Sequence, residues 1–210
     1  MKFLNSNRAL CISPHPDDVE YSFLATIAKY EDTIFDIICL CQGSDGDPTT
    51  GKERLEEVKS VWECANIKNS NLSFTDIKYI KDFGQDEWIT YLEKNILTEF
   101  NYDTIILPND EDSHWEHRTI SKLGLPLIRV KKMNLVEYYT PSTQETWKPN
   151  LYIDISDGYT KKLKCLKKFK SQAHRYYFRE DVLRAFHSDF QCAKKGMHIV
   201  EKFKIVNYYE

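Results

Sequence analysis

The stretch from Arg8 to Tyr30 constrains the fold more than any other part of the chain. Arg8 to Ile12 is a short apolar run that reads as a strand, and Val19 to Tyr30 reads as a helix. Between them stand Ser13, Pro14, His15, Pro16, Asp17 and Asp18. His15 and Asp18 lie three residues apart, about one helical turn, so both can face one point at the strand's C-terminal end. Asp17 is displaced around the helix start and can aim at a water beside that point. One imidazole and two carboxylates in this setting are the parts of a metal-activated water site. A helix cap accounts for a single Asp through the helix dipole. It does not account for His15 between two prolines, or for the second Asp.

The alternation of strand and helix continues along the chain. Ile34 to Cys41 is nearly continuous in apolar character, as in a parallel strand covered on both faces. A helix over Lys52 to Asn66 turns Leu55, Val58, Val61 and Trp62 to one side. Leu72 to Ile80 reads as a short strand or an irregular edge. Glu87 to Phe100 reads as a helix with Trp88, Leu92, Leu97 and Phe100 among its inward residues. Thr104 to Pro108, Asn134 to Tyr139 and Leu151 to Ile155 read as strands, and His198 to Val206 as a last extended segment. Further helices are expected over Trp115 to Leu123, Asp157 to Lys170 and Arg179 to Lys195. The pattern predicts an α/β fold, Rossmann-like and three-layered, with a mostly parallel sheet flanked by helices in a single domain over residues 1–210. Ligands in such folds sit at the C-terminal ends of strands, near the switch in strand order. The loops at His15, Gly43 and His114 should therefore open on one edge.

Charge and composition exclude several classes. A net charge of −3 leaves no nucleic-acid footprint. A 41% hydrophobic and 13% aromatic content argues for a globular chain rather than a disordered one. No apolar run is long enough to span a bilayer. The N-terminus turns polar too early for a signal peptide, which predicts a cytoplasmic protein. Six cysteines without a CxxC pair read as buried free thiols. Lys161, Lys162, Lys164, Lys167, Lys168 and Lys170 could meet phosphate or anionic lipid, but a solvated helix face is the simpler reading. Thirteen tyrosines are compatible with a homo-oligomer interface.

His114 and His117 form a second pair at a spacing of three after a strand. Hydrolytic zinc usually takes three protein ligands and keeps a fourth position for water. His15, Asp18 and one of these two histidines would complete that set, and the other could polarise a carbonyl or hold an oxyanion. His174, His187 and His198 each stand alone. Arg54 falls in the first turn of its helix, where a cation is electrostatically misplaced. It either contacts an anion or a sugar hydroxyl, or pairs with Glu53 or Glu57.

Ser13 through Glu20 resembles the PHPDD(V/E)E signature of the PIG-L/LmbE-like zinc-dependent deacetylases. Pro108 through His117 is similar to that family's second motif, an acidic loop ending in HPDH. Gly43-Ser44-Asp45-Gly46 with Arg54 and Glu57 resembles its Gly-rich loop and R-x-x-E. Asp154-Ile155-Ser156-Asp157 with Lys161, Lys162, Ser171 and Gln172 resembles a third block, and Gly196 with Val200-Glu201-Lys202-Phe203 its closing segment. The resemblance runs in order over nearly the whole chain. It implies His15, Asp18 and His117 as ligands of one Zn2+, or another divalent metal, per chain. It implies Asp17 as general base, His114 as the group at the carbonyl or oxyanion, and Arg54 as a substrate contact. The implied reaction removes an N-acetyl group from an amino sugar of N-acetylglucosamine type, on a small-molecule or glycan-precursor scaffold, releasing acetate. Alternatives are another N-acyl or N-formyl amide, or a non-catalytic relative that only binds metal or ligand. A dinucleotide-binding module is disfavoured, because no GxGxxG is present and two carboxylates would repel phosphate. The pattern departs at Trp115 and Glu116, where the family carries Pro and Asp, and at Phe169, where many members carry His.

Overall fold

Leu10 and Ile12 of the first strand pack on one side of the sheet, Ala9 and Cys11 on the other, and all four are buried. This two-residue period with both faces covered is the signature of a strand inside a three-layer α/β fold. The computed structural model describes residues 1–42, 51–129 and 131–209. The expected Gly43 loop lies outside the described residues. Five strands run parallel: β1 (Arg8–Ser13), β2 (Ile34–Cys39), β3 (Ser70–Phe74), β4 (Thr104–Pro108) and β5 (Asn134–Tyr138). β6 (Leu151–Asp154) and β7 (Val200–Asn207) complete the sheet in the order β3-β2-β1-β4-β5-β7-β6. The chain steps outward from β1 to β3, then returns to lay β4 against β1's other side. The switch in strand order therefore falls between β1 and β4, where folds of this class form their ligand crevice.

One face of the sheet is covered by α3 (Gln85–Asn95), α4 (Trp115–Ser121) and α5 (Gly124–Ile128), with Trp88, Leu92, Ile120 and Leu127 buried against Leu10, Ile105 and Leu135. Gly124 is required here: a Cβ would stand 2.7 Å from Leu107 Cδ1 and 2.8 Å from Leu135 Cδ1. The other face carries α1 (Asp18–Lys29), with α2 (Gly51–Ala65) and α6 (Tyr159–Leu166) packed beside it. No helix of the described residues is long and apolar enough to cross a membrane.

α1 is buried along most of its length, and its helical geometry breaks at Phe23 (φ −149°, ψ 29°). Glu201 of β7 accepts the backbone N–H groups of Ala25 (3.2 Å) and Thr26 (2.6 Å) just past the break. Lys162 Nζ donates to the same carboxylate at 2.6 Å, and both side chains are sealed from solvent. Lys162 is thus an exception to the expected solvated lysine face. Replacing one member of such a pair leaves a buried charge without its partner. Glu201→Gln should lower the unfolding free energy by about 3–5 kcal/mol in urea titration, whereas a loss under 1 kcal/mol would mean the pair contributes little.

Two expected elements are redrawn. The helix expected to reach Phe100 ends at Asn95, and Phe100 is exposed, lying under the Arg8 guanidinium. The helix expected over Arg179 to Lys195 is two pieces, α7 (Glu180–Phe186) and α8 (Phe190–Ala193). The break follows from His187, whose carbonyl accepts the Val200 N–H at 2.7 Å, and from Asp189, which caps α8 by accepting the Cys192 N–H at 3.0 Å. The last extended segment forms β7 as expected. It inserts antiparallel between β5 and β6.

Candidate active site

The turn after β1 projects its polar groups into a cavity of about 440 Å³. Asp18 opens α1, and its Oδ2 accepts the His15 backbone N–H at 2.8 Å, which closes the turn. The same oxygen lies 3.1 Å from His15 Nδ1 and 3.3 Å from His117 Nε2. Two imidazoles 102 residues apart, one from the β1 turn and one from α4, thus converge on one carboxylate oxygen.

Each imidazole is fixed from behind by a second carboxylate. His15 Nε2 is 2.5 Å from Glu116 Oε2, and His117 Nδ1 is 2.9 Å from Asp112 Oδ2. An ionised carboxylate can only accept, so those two nitrogens carry the protons. His15 Nδ1 and His117 Nε2 are left facing Asp18, each able to present a lone pair once its ring is neutral. Asp112 is fully buried and also accepts the His114 backbone N–H (2.7 Å) and the Thr140 hydroxyl. Carboxylate-backed histidines beside a third oxygen ligand are the arrangement that orients ligands around a metal. The donor set, two nitrogens and one carboxylate, suits zinc, and the ligand atoms of His15, Asp18 and His117 lie within 4.8 Å of one another. His117 Nε2 is buried without a hydrogen bond, as expected of an atom awaiting a cation. Burial disfavours a charged His117 ring, but Asp18 and Asp112 outweigh it and push His117 up to about 10. A metal entering here would replace a proton, so its affinity should rise with pH.

Glu116, where the resembled family has Asp, uses its extra reach to hold His15. Glu116→Gln should weaken metal affinity or turnover about 10–100-fold. Metal analysis at limiting zinc reads the first and acetate release the second; neither changing would remove Glu116 from the ligand scaffold.

Asp17 stands apart from this set. Its backbone has φ 113°, ψ −22°, a region costly for any residue with a Cβ. Its carboxylate makes no helix-capping hydrogen bond, so the cap reading does not describe it. Arg54 Nη2 donates to Asp17 Oδ2 (3.0 Å) and to the Pro16 carbonyl (2.8 Å). Burial raises the Asp17 carboxyl, Arg54 draws it back, and Asp18 raises it again, to about 6 overall. That value suits a group that must both take and give a proton near neutrality. Arg54 therefore pairs with Asp17 rather than with Glu53 or Glu57. Glu57 turns instead to Ser171, accepting from its N–H (2.9 Å) and its hydroxyl (2.6 Å).

His114 caps α4, its Nδ1 accepting the Glu116 N–H at 3.3 Å. The ring proton accordingly sits on Nε2, where it can be donated into the cavity. Burial and the neighbouring His15 and His117 rings lower its pKa, which keeps the ring neutral. Its side chain is 42% exposed, against 4% for His117. His114 faces the open cavity and His117 its floor.

The far wall of the cavity is not among the sites that the sequence motifs point to. Arg175, Tyr176, Tyr177 and Phe178 line the cavity from a segment that follows Ser171 and Gln172. A cation ahead of three aromatic residues was the available signal. Phe169 is buried 5.8 Å from the Phe178 ring, so the residue that replaces the resembled His supports this wall from beneath. Trp115 sits at the cavity mouth, 45% exposed.

Comparison with known proteins places the chain among its relatives. A family model described as PIG-L, GlcNAc-PI de-N-acetylase, matches residues 10–128, which include the β1 turn and the β4 loop. A diacetylchitobiose deacetylase from Thermococcus kodakarensis is 28% identical over 209 residues, covering 86% of this chain and 73% of that protein. The structure of N,N'-diacetylchitobiose deacetylase from Pyrococcus horikoshii, complexed with its inhibitor MPG, shares the fold at a TM-score of 0.77 and 22% identity, covering 96% of this chain and 84% of that one. A 4-carboxy-2-hydroxymuconate hydratase from Pseudomonas putida KT2440 shares it at a TM-score of 0.75 and 16% identity, covering 100% of this chain and 98% of that one. The last similarity shows that this fold alone does not specify a reaction.

Proposed function

The chain belongs to the PIG-L family of N-deacetylases, and from that premise we propose that it hydrolyses the N-acetyl group of an amino sugar at a single zinc site formed by His15, Asp18 and His117. The convergence of two carboxylate-backed imidazoles on Asp18 Oδ2 is the observation that carries the reading. When bound, zinc would supply Lewis acidity, bringing the pKa of a water toward about 7 and polarising an amide carbonyl.

The residues of the chain perform the proton transfers and the positioning. Asp17 takes a proton from the attacking water and returns it to the leaving amine, a double task that a carboxyl near 6 can perform. Arg54 anchors one oxygen of Asp17, whose side chain lines the cavity. His114 donates its Nε2–H to the carbonyl oxygen as negative charge builds there. As a neutral donor it stabilises charge rather than delivering a proton. The products are acetate and a free amine. The reading treats residues 1–210 as one deacetylase domain acting on a small-molecule or glycan-precursor substrate.

The names of the relatives make N,N'-diacetylchitobiose the first substrate to test. Zinc-loaded protein should release acetate and free amine from it in equal amounts. N-acetylglucosamine, nucleotide-linked N-acetylglucosamine and N-formyl amino sugars, run in parallel, resolve the scaffold and the acyl group. Absence of acetate or formate from every substrate, in protein shown to hold zinc, would overturn the proposal.

A further inference from the structure

Cys64 lies near the end of α2 and Cys165 near the end of α6, 101 residues apart in sequence, yet their Sγ atoms are 3.1 Å apart. Both thiols are free. A disulfide bond is about 2.05 Å long, so small side-chain adjustments on two packed helices would close it. The two thiols differ in access. Cys64 is half-buried at the helix margin, whereas Cys165 is sealed. The other thiols have different surroundings. Cys39 Sγ donates to the Cys41 carbonyl and Cys41 Sγ to the Pro14 carbonyl.

We propose that Cys64 and Cys165 form a reversible dithiol–disulfide couple, closed by hydrogen peroxide, that ties α2 covalently to α6. Cys64, the accessible partner, attacks one peroxide oxygen; the O–O bond breaks, water leaves, and Cys64 becomes a sulfenic acid. Cys165 Sγ then attacks the Cys64 sulfur. The S–O bond breaks, the S–S bond forms, and the hydroxide leaves with the Cys165 proton as a second water. Two electrons pass from the two sulfurs to the peroxide, and a dithiol reductant reverses the step. Burial, with Cys64 alongside, pushes Cys165 up to about 12, so it serves as the resolving thiol and not as the first nucleophile.

The position of the pair gives the bridge a structural effect. α2 carries Arg54, which holds Asp17, and Glu57, which holds Ser171. Neither thiol lines the cavity. The bridge therefore fixes the helix that positions site residues without touching reacting atoms, and its test is independent of the proposed reaction.

Native protein exposed to peroxide, then denatured and alkylated, should lose two of its six alkylatable cysteines. Mass spectrometry should find one linked peptide pair, containing Cys64 and Cys165, and dithiothreitol should restore all six. Cys64→Ser should abolish the linked pair. The oxidised protein should also melt about 5–10 °C higher, since the bridge closes a long loop. Six alkylated cysteines after peroxide, or Cys64 carried to sulfinic acid while Cys165 remains alkylated, would overturn the couple. An unchanged Tm in protein that carries the linked pair would overturn the tie between helices.

Discussion

Asp17→Asn should lower kcat by about 10²–10⁴-fold while leaving zinc content and Tm unchanged. The expectation rests on how little else Asp17 does. Its carboxylate caps no helix, and its described hydrogen-bond partner is Arg54. Asn keeps an oxygen for that guanidinium and tolerates positive φ better than most residues, so the strained turn survives. What Asn cannot do is accept a proton from water. Loss of zinc along with activity would instead make Asp17 a ligand. The pH profile gives a second check. A base is active when deprotonated, so kcat/KM should fall as pH drops through the pKa of Asp17. In the metal-free site that value is about 6. A bound dication favours the carboxylate, so the acid limb of the loaded enzyme should lie at or below about 6. A limb well above that value would point to a different base.

His117→Ala should lose zinc and activity together. It removes one of the three groups around Asp18 Oδ2, and the one set deepest in the fold. Affinity should fall by at least about 100-fold, since losing an outer-shell partner alone costs 10–100-fold. The substitution also leaves buried Asp112 with the Thr140 hydroxyl and the His114 N–H but no imidazole. Asp112→Asn separates the two effects, because it keeps the ligand while weakening its support. If zinc stays at one per chain in His117→Ala, the ligand set is wrong whatever the activity.

The contrast between those two residues marks what the chain discloses before it folds. The β1 turn was legible because a strand period, two prolines and three polar groups are all local. His15, Asp17, Asp18, His114, His117 and Arg54 are brought around one cavity, as their strand-end placement suggested. Asp112 was not legible, because it is one of three consecutive acids. Only the fold selects the one that meets His117 and Thr140. Glu116 reads as a departure from a motif, and its contact with His15 depends on how closely β1 and β4 bring their loops together. Lys162 looks like its neighbours in a lysine-rich run. Its burial follows from Glu201, 39 residues further on, and from a last strand inserted between β5 and β6. Strand order leaves no periodic trace in a sequence, so neither the insertion nor the buried pair could be read from it.

The proposed N-deacetylation depends on one metal at His15, Asp18 and His117. Titrating chelator-stripped protein with zinc while measuring acetate release from N,N'-diacetylchitobiose, or from whichever N-acetyl amino sugar the panel identifies, tests it most directly. Activity should rise from background and break at one zinc per chain, at a pH where Asp17 is ionised. Acetate release that is undiminished in the stripped protein, or that does not depend on zinc up to one equivalent, would contradict it.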